Sequence, residues 1–409
     1  MDPFLALIVP VQGPQSSVLT PGKEVTLTGA GFGTKSRAVP AYLRDKCTAA
    51  AGTVDPQWQT YSPKGNTGTD AQYNIQLQPG GFRGIQVPHP QLTQFYAGGC
   101  KNTPSDSWGP YNVFINAELP YLARPYTLYS HGYYCWDPAS QFPNPWTVNS
   151  TNNKWFAYSG DEPNVKQQEW NFSINPSEGP QNDSDPYYQM TVAGNYQSGG
   201  TIPGTPPGTA GQIYGRRMLN PFNASNGWLR LEIEACLTDD QSSSSPGYVK
   251  LWCNGGGDAF TGDYNSGDGT GLVINYLCGG LNGGQVAGGT DTFTATDKRW
   301  WSSGLCAYYA YHYSFPFSFQ ADLYLDCSAP GVTKRCARVM AGDASTWASS
   351  KVRVPQDLVS WSDTAVKFNF WPGALRNASQ CWFHVITESG QFLDAVGSGT
   401  VVNLPPSHA

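Results

Sequence analysis

Apolar and polar residues alternate with a period of two in many short runs along the chain. Val25-Thr26-Leu27-Thr28, Leu229 to Ala235, Val249 to Trp252, Leu323 to Asp326 and Val366 to Phe370 all follow it. A period of two sends successive side chains to opposite faces of an extended strand, so each run predicts a β-strand. Clusters of Gly, Pro, Asn and Ser separate the runs, and no stretch sustains the 3.6-residue apolar spacing of a helix. Many short strands joined by turns predict an all-β chain of sandwich or jelly-roll type. Residues 198–211 and 254–271 are too rich in glycine for strands and read as surface loops. Residues 4–11 (FLALIVPV) are too short to span a bilayer and follow no basic residue, so they read as a first strand rather than a membrane span or a leader.

Composition narrows the setting. Of 409 residues only 13% are Asp, Glu, Lys or Arg, about half the roughly 25% of an average soluble domain. With a net charge of -6 and no clustered Lys or Arg, the counterion release that drives nucleic-acid binding has no source. The 46 Gly, 23 Tyr and 14 Trp imply a neutral, aromatic surface, which suits an extracellular or virion-surface protein. The length accommodates one large β domain and a smaller one. Ten cysteines show no CxxC pair and no regular His spacing, against zinc. Disulfides fit better, and Cys327 with Cys336, which flank a plausible hairpin, are the expected bridge.

The termini carry a resemblance. Residues 21–35 (PGKEVTLTGAGFGTK), with Gly29, Gly31 and Gly33 around Phe32, resemble the opening of an IPT/TIG domain, an immunoglobulin-like module. The turn expected to follow appears far downstream at Trp361-Ser362-Asp363-Thr364, leading into Ala365 to Phe370. Closing strands fit Cys381 to Thr387 and Val396 to Leu404. Between the two pieces, Gly227 to Glu234, Gly247 to Gly255 and Ala321 to Asp326 resemble the strands of concanavalin-like jelly rolls of the laminin-G and polysaccharide-lyase kind. With Arg83 to His89 and Asn152 to Phe156, the combination resembles a group of uncharacterised bacterial and phage surface proteins. The resemblance implies an all-β fold in which a concanavalin-like β-jelly roll (45–332) is inserted into a split Ig-like (TIG) β-sandwich (1–44 and 333–409). It implies no activity.

The candidate chemistry lies on two of these strands, taken as a hairpin. Leu229, Leu231, Ile233 and Ala235 share one face of the first and Val249, Leu251 and Cys253 one face of the second. If the aliphatic faces point to the core, Trp228, Arg230, Glu232, Glu234, Tyr248, Lys250 and Trp252 gather on the other. Flat aromatics with charged groups suit a glycan. The plainer reading is a set of cross-strand stabilisers.

Glu232 and Glu234 would stand about 6.5 to 7 Å apart by strand rise, wider than the roughly 5 to 5.5 Å of a retaining glycosidase. The Glu-x-Asp-x-x-Glu pattern of jelly-roll glycosidases is absent, because Cys236 and Leu237 stand in its place. A lyase needs a Tyr or His base near a cation. Tyr248 and Lys250 share a face, with His89, His131 and His312 unplaced, so no catalytic residue is assigned. The period-two aromatics Tyr309, Tyr311, Tyr313, Phe315, Phe317 and Phe319 read as a core or inter-domain face. Asp258, Asp263, Asn265 and Asp268 offer oxygens to Ca²⁺, but their spacing departs from the EF-hand pattern, and no cofactor is expected.

The leading expectation is a non-enzymatic extracellular or virion-surface structural or adhesive protein working in multiple copies. Its expected partners are further copies of itself, other surface or virion proteins, and a polysaccharide on the sheet face. The rival is a polysaccharide lyase or glycoside hydrolase of jelly-roll type.

Overall fold

A computed structural model describes residues 11–12, 18–37, 39, 41–61, 75–98, 113–118, 127–136, 154–162, 165–176, 188–193, 228–236, 248–254, 273–275, 299–308, 318–329, 335–375, 380–395, 397 and 399–401. The chain is all-β: among the described residues the one helical element is a 3-10 turn at Phe82–Gly84.

An eight-stranded antiparallel sheet organises the molecule. Its order is Val273–Asn275, Tyr248–Asn254, Leu229–Cys236, Thr127–Trp136, Ser318–Cys327, Gln94–Gly98 and Gln76–Pro79, with Leu43–Asp45 also paired to Ser318–Cys327. A six-stranded sheet runs Tyr188–Ala193, Val165–Pro176, Lys154–Glu162, Arg299–Tyr308, Val113–Glu118 and Gln59–Tyr61. The expected pairing of Leu229–Cys236 with Tyr248–Asn254 is present, Glu232 opposite Trp252 and Glu234 opposite Lys250.

Of three smaller sheets among the described residues, two pair strands from the beginning of the chain with strands from its end. Glu24–Thr28 pairs with Ala365–Asn369, and Asp357–Trp361 completes three strands. The alternation read from sequence sets this register: Val25 and Leu27 are buried between exposed Glu24, Thr26 and Thr28, opposite buried Val366 and Phe368. The second such sheet is two-stranded, Val18–Leu19 running parallel to Thr400–Val401, and the third, of Arg353–Pro355, Arg338–Gly342, Trp382–Ile386 and Phe392–Asp394, is built from the later residues alone. Leu43–Asp45 already belongs to the eight-stranded sheet, so a boundary after residue 44 would fall inside a strand.

The expected Cys327–Cys336 bridge is not formed. Both thiols are free and buried, and Cys336 directs its Sγ at the Thr127 carbonyl, 3.6 Å away. Burial pushes the Cys327 thiol up to about 12, with Asp326 beside it acting the same way. Both cysteines behave as small apolar side chains.

Candidate functional site

Alternation along Leu229–Cys236 separates Leu231 from Arg230, Glu232 and Glu234. Both faces are covered, and these four side chains belong to residues at most 2% exposed. Leu231 joins the core that contains Phe95 and Phe319. Register carries the polar face across the sheet: Glu232 lies beside His131, His131 beside Tyr324, and Tyr324 beside Arg44. In the next row Glu234 lies beside Tyr129 and Tyr129 beside Asp326.

Four carboxylates of this sheet, Glu232, Glu234, Asp322 and Asp326, have fully buried side chains. Most of their cations come from the two flanking segments. Arg335 and Arg338 reach Glu234 at 2.8 and 2.5 Å, and Arg353 reaches Glu232 at 3.3 Å. From the other flank, Lys35 and Arg37 each meet Asp326 at 2.7 Å, and Arg44 meets Asp322 at 2.5 Å. Arg230, the cation on the same strand, pairs with Glu232 and also donates to the carbonyls of Arg353 and Lys351 at 3.1 and 3.2 Å. Tyr129 donates its hydroxyl to Glu232 at 3.1 Å.

Burial alone would raise the Glu232 pKa, but the guanidiniums of Arg353 and Arg230 override it and hold the carboxyl at about 2. Burial lowers Arg353 to about 10, more than Glu232 restores. Arg338 lies 3.8 Å over the Tyr129 ring and Arg353 4.2 Å over Trp347. Burying each ion costs several kcal/mol unless partners and hydrogen bonds compensate, and this face supplies both. It is an ionic joint between the sheet and its flanks.

Asp322 is positioned by a distortion. The register of Ser318–Cys327 against Thr127–Trp136 shifts between Ala321 and Tyr324, and Asp322 takes a φ of 50°. A bulge re-aims the side chain it carries. Here it turns the carboxylate to Arg44, to His89 Nε2 at 2.9 Å and to Trp371 Nε1 at 3.0 Å. Burial would raise the Asp322 pKa, yet Arg44 and His89 draw it well below the usual carboxylate range.

A Ser-His-Asp array stands in the four-stranded sheet region. Ser350 Oγ lies 3.1 Å from His384 Nε2, and His384 Nδ1 lies 2.7 Å from Asp394 Oδ1. Acyl transfer needs a reachable serine oriented through a sheltered carboxylate. The exposure runs the other way: Ser350 and His384 are buried and Asp394 is exposed. Ser350 Oγ also accepts the Ala344 N–H at 3.2 Å. A Cβ on Gly342 would sit 2.3 Å from that oxygen. Buried and bonded on both sides, Ser350 acts with His384 and Asp394 as a strut that ties the 343–352 loop to Trp382–Ile386 and Phe392–Asp394.

The open glycan face expected at Trp228, Arg230, Glu232 and Glu234 is therefore corrected. Trp228 lies in the core, its indole N–H given to the Gln86 carbonyl at 2.6 Å and its ring 5.6 Å from Phe95. Arg230, Glu232 and Glu234 are closed in by Arg335, Arg338 and Arg353. The expectation failed because alternation shows that a strand has two faces, but not whether a distant segment covers the second. The available signal was charge in a chain so poor in it: four acids and seven bases, joined here in seven ion pairs.

The side chains of Tyr248, Lys250 and Trp252 lie outside the described residues, as do His312, Asp258, Asp263, Asn265, Asp268 and the aromatics 309–317. Phe319 is in the core and His89 and His131 are buried. Among the described residues no three His, Cys, Asp or Glu side chains gather as a metal site, and no helix is long and apolar enough to cross a membrane. Sequence reasoning missed the roles of Asp322, Arg335, Arg338 and Arg353.

No family model and no curated protein matches the chain. Among solved structures, a variant of the alginate lyase Aly36B in complex with alginate trisaccharide aligns at a TM-score of 0.31 and 8% identity, covering 71% of this chain and 99% of that one. Another Aly36B structure gives 0.27 and 9%, over 56% and 86%. The binding domain of botulinum neurotoxin serotype G gives 0.28 and 8%, over 84% and 74%. At these scores the likenesses assign no function.

Proposed function

We propose that the protein is a non-enzymatic structural or adhesive module of an extracellular or virion surface, a jelly roll mounted on a split Ig-like base and used in multiple copies. The observation that carries this reading is the ionic joint. The charged face with the best claim to be a site is closed, its four carboxylates held by cations from segments 35–44 and 335–353. Charge deployed this way fixes the relative placement of chain segments, which suits a part that must hold its shape rather than turn over a substrate. The pairing of Glu24–Thr28 with Ala365–Asn369 supports the split base, since it returns the end of the chain to its beginning.

The test joins assembly to activity. Purified protein is examined for self-association by light scattering and for its presence in isolated particles by peptide mass spectrometry. It is also incubated with anionic polysaccharides, with the absorbance of unsaturated uronate products as readout. Self-association or a stoichiometric band in particles, with no depolymerisation, supports the proposal. Catalytic depolymerisation overturns it.

A further inference from the structure

His131 is the buried group the ionic joint leaves unused. It sits mid-strand in Thr127–Trp136, 1% exposed, and neither ring nitrogen has a hydrogen-bond partner. Its strand neighbours are Glu232 on one side and Tyr324 on the other. The Tyr133 ring meets its edge at a centroid distance of 5.5 Å, and His89, engaged with Asp322, meets Tyr133 in turn at 5.3 Å.

The charges around it are already committed. Of the acids, Glu232 is bound to Arg230 and Arg353, and Asp322 to Arg44. Tyr129, on the same strand, gives its hydroxyl to Glu232. An added proton on His131 would therefore be a buried cation facing the Arg230 and Arg44 guanidiniums, with both nearby carboxylates taken.

We propose that His131 is an acid-sensitive release for the joint: the sheet and its flanking strands hold together while the imidazole is neutral, and part when a proton captures the opened form. Burial, reinforced by the Arg230 charge, lowers the imidazole from its ordinary 6.5 to about 3 in the closed molecule. The sign follows. A group with a depressed value when closed binds its proton preferentially when open, so opening grows as pH falls from the ordinary value towards the closed one. Between about pH 7.5 and about pH 5 the single proton favours opening by about thirtyfold. Glu232 adds less than about twofold by then, because a carboxyl with an ordinary value near 4.5 is still largely ionised at that pH.

Native-state amide exchange, corrected for the intrinsic rate at each pH, tests this on the full chain. Opening measured at the amides of Tyr129–Tyr133 and Arg338–Met340 is expected to rise about thirtyfold in the wild type and to lose most of that rise in His131→Leu. If His131→Leu does not fold, His131→Gln serves, since it too stays uncharged. A variant that keeps the full rise overturns the proposal. So does an imidazole NMR titration in which His131, one of five histidines, protonates near its ordinary value while the molecule stays closed.

Discussion

The backbone amide of Gly33 donates to the side-chain oxygen Oδ1 of Asp363 at 2.8 Å across 330 residues of sequence. Around this bond the Phe32 amide reaches the Asp363 carbonyl at 3.2 Å, the Gly29 amide reaches the Thr364 carbonyl at 3.0 Å, and the Trp361 indole donates to the Gly33 carbonyl at 3.2 Å. Gly31 and Gly33 hold φ of 83° and 67°, a region that side chains disfavour. The glycine-rich turn near the start and the Trp-Ser-Asp-Thr turn near the end thus form one structural unit.

Asp363→Ala removes the side-chain acceptor and leaves the backbone bonds. The site is exposed, so a loss of about 1 kcal/mol is expected, read as a lower urea midpoint with an unchanged slope. A loss above about 3 kcal/mol would show that the bond holds more than this turn.

Arg338→Met removes one of the two cations paired with Glu234 and keeps Arg335. Breaking a buried pair costs about 3 to 5 kcal/mol because the remaining charge is stranded. The double variant Arg338→Met with Glu234→Gln is expected to recover part of that loss. A double-mutant cycle on chemical denaturation measures the coupling, and additive losses would contradict the joint.

Glu232 makes the joint acid-labile in a second, lower window. Its folded value of about 2 lies below the ordinary 4.5. Its contribution is complete above the ordinary value and lost as pH falls towards the folded one, on the order of 3 kcal/mol in all. Stability of wild type and Glu232→Gln, followed from about pH 6 to about pH 2, is expected to converge at the acid end.

Gly342→Ala would place a methyl 2.3 Å from Ser350 Oγ and 2.5 Å from His384 Nε2. Overpacking of this kind costs about 1 to 3 kcal/mol, seen as a lowered thermal midpoint. In the wild type a fluorophosphonate probe is expected to leave Ser350 unlabelled by peptide mass spectrometry. Stoichiometric labelling there would make the strut a reactive centre.

Non-reducing peptide mapping of the native protein is expected to find no Cys327–Cys336 linked peptide, since both thiols are free. Recovery of that peptide from protein alkylated before digestion would reverse the assignment.

The all-β class and the position of individual strands were legible in the amino-acid order. Strand formation is local, and the alternation of Val25 with Leu27 or Val366 with Phe368 needs no knowledge of distant residues. The likeness of residues 21–35 and 361–364 to two parts of one module even pointed to a contact that the structure contains. What lies on each face of a strand was decided elsewhere. Leu231 and Glu232 are equally hidden because Arg338, 104 residues beyond Glu234, and Arg353, 121 residues beyond Glu232, fold back over the polar face. The bulge that turns Asp322 towards Arg44 and His89 likewise depends on a register set by the neighbouring strand. A carboxylate reads as solvated or catalytic until its cation is placed, and the folding of distant segments is what brings Arg338 and Arg353 to within 3.3 Å of Glu234 and Glu232.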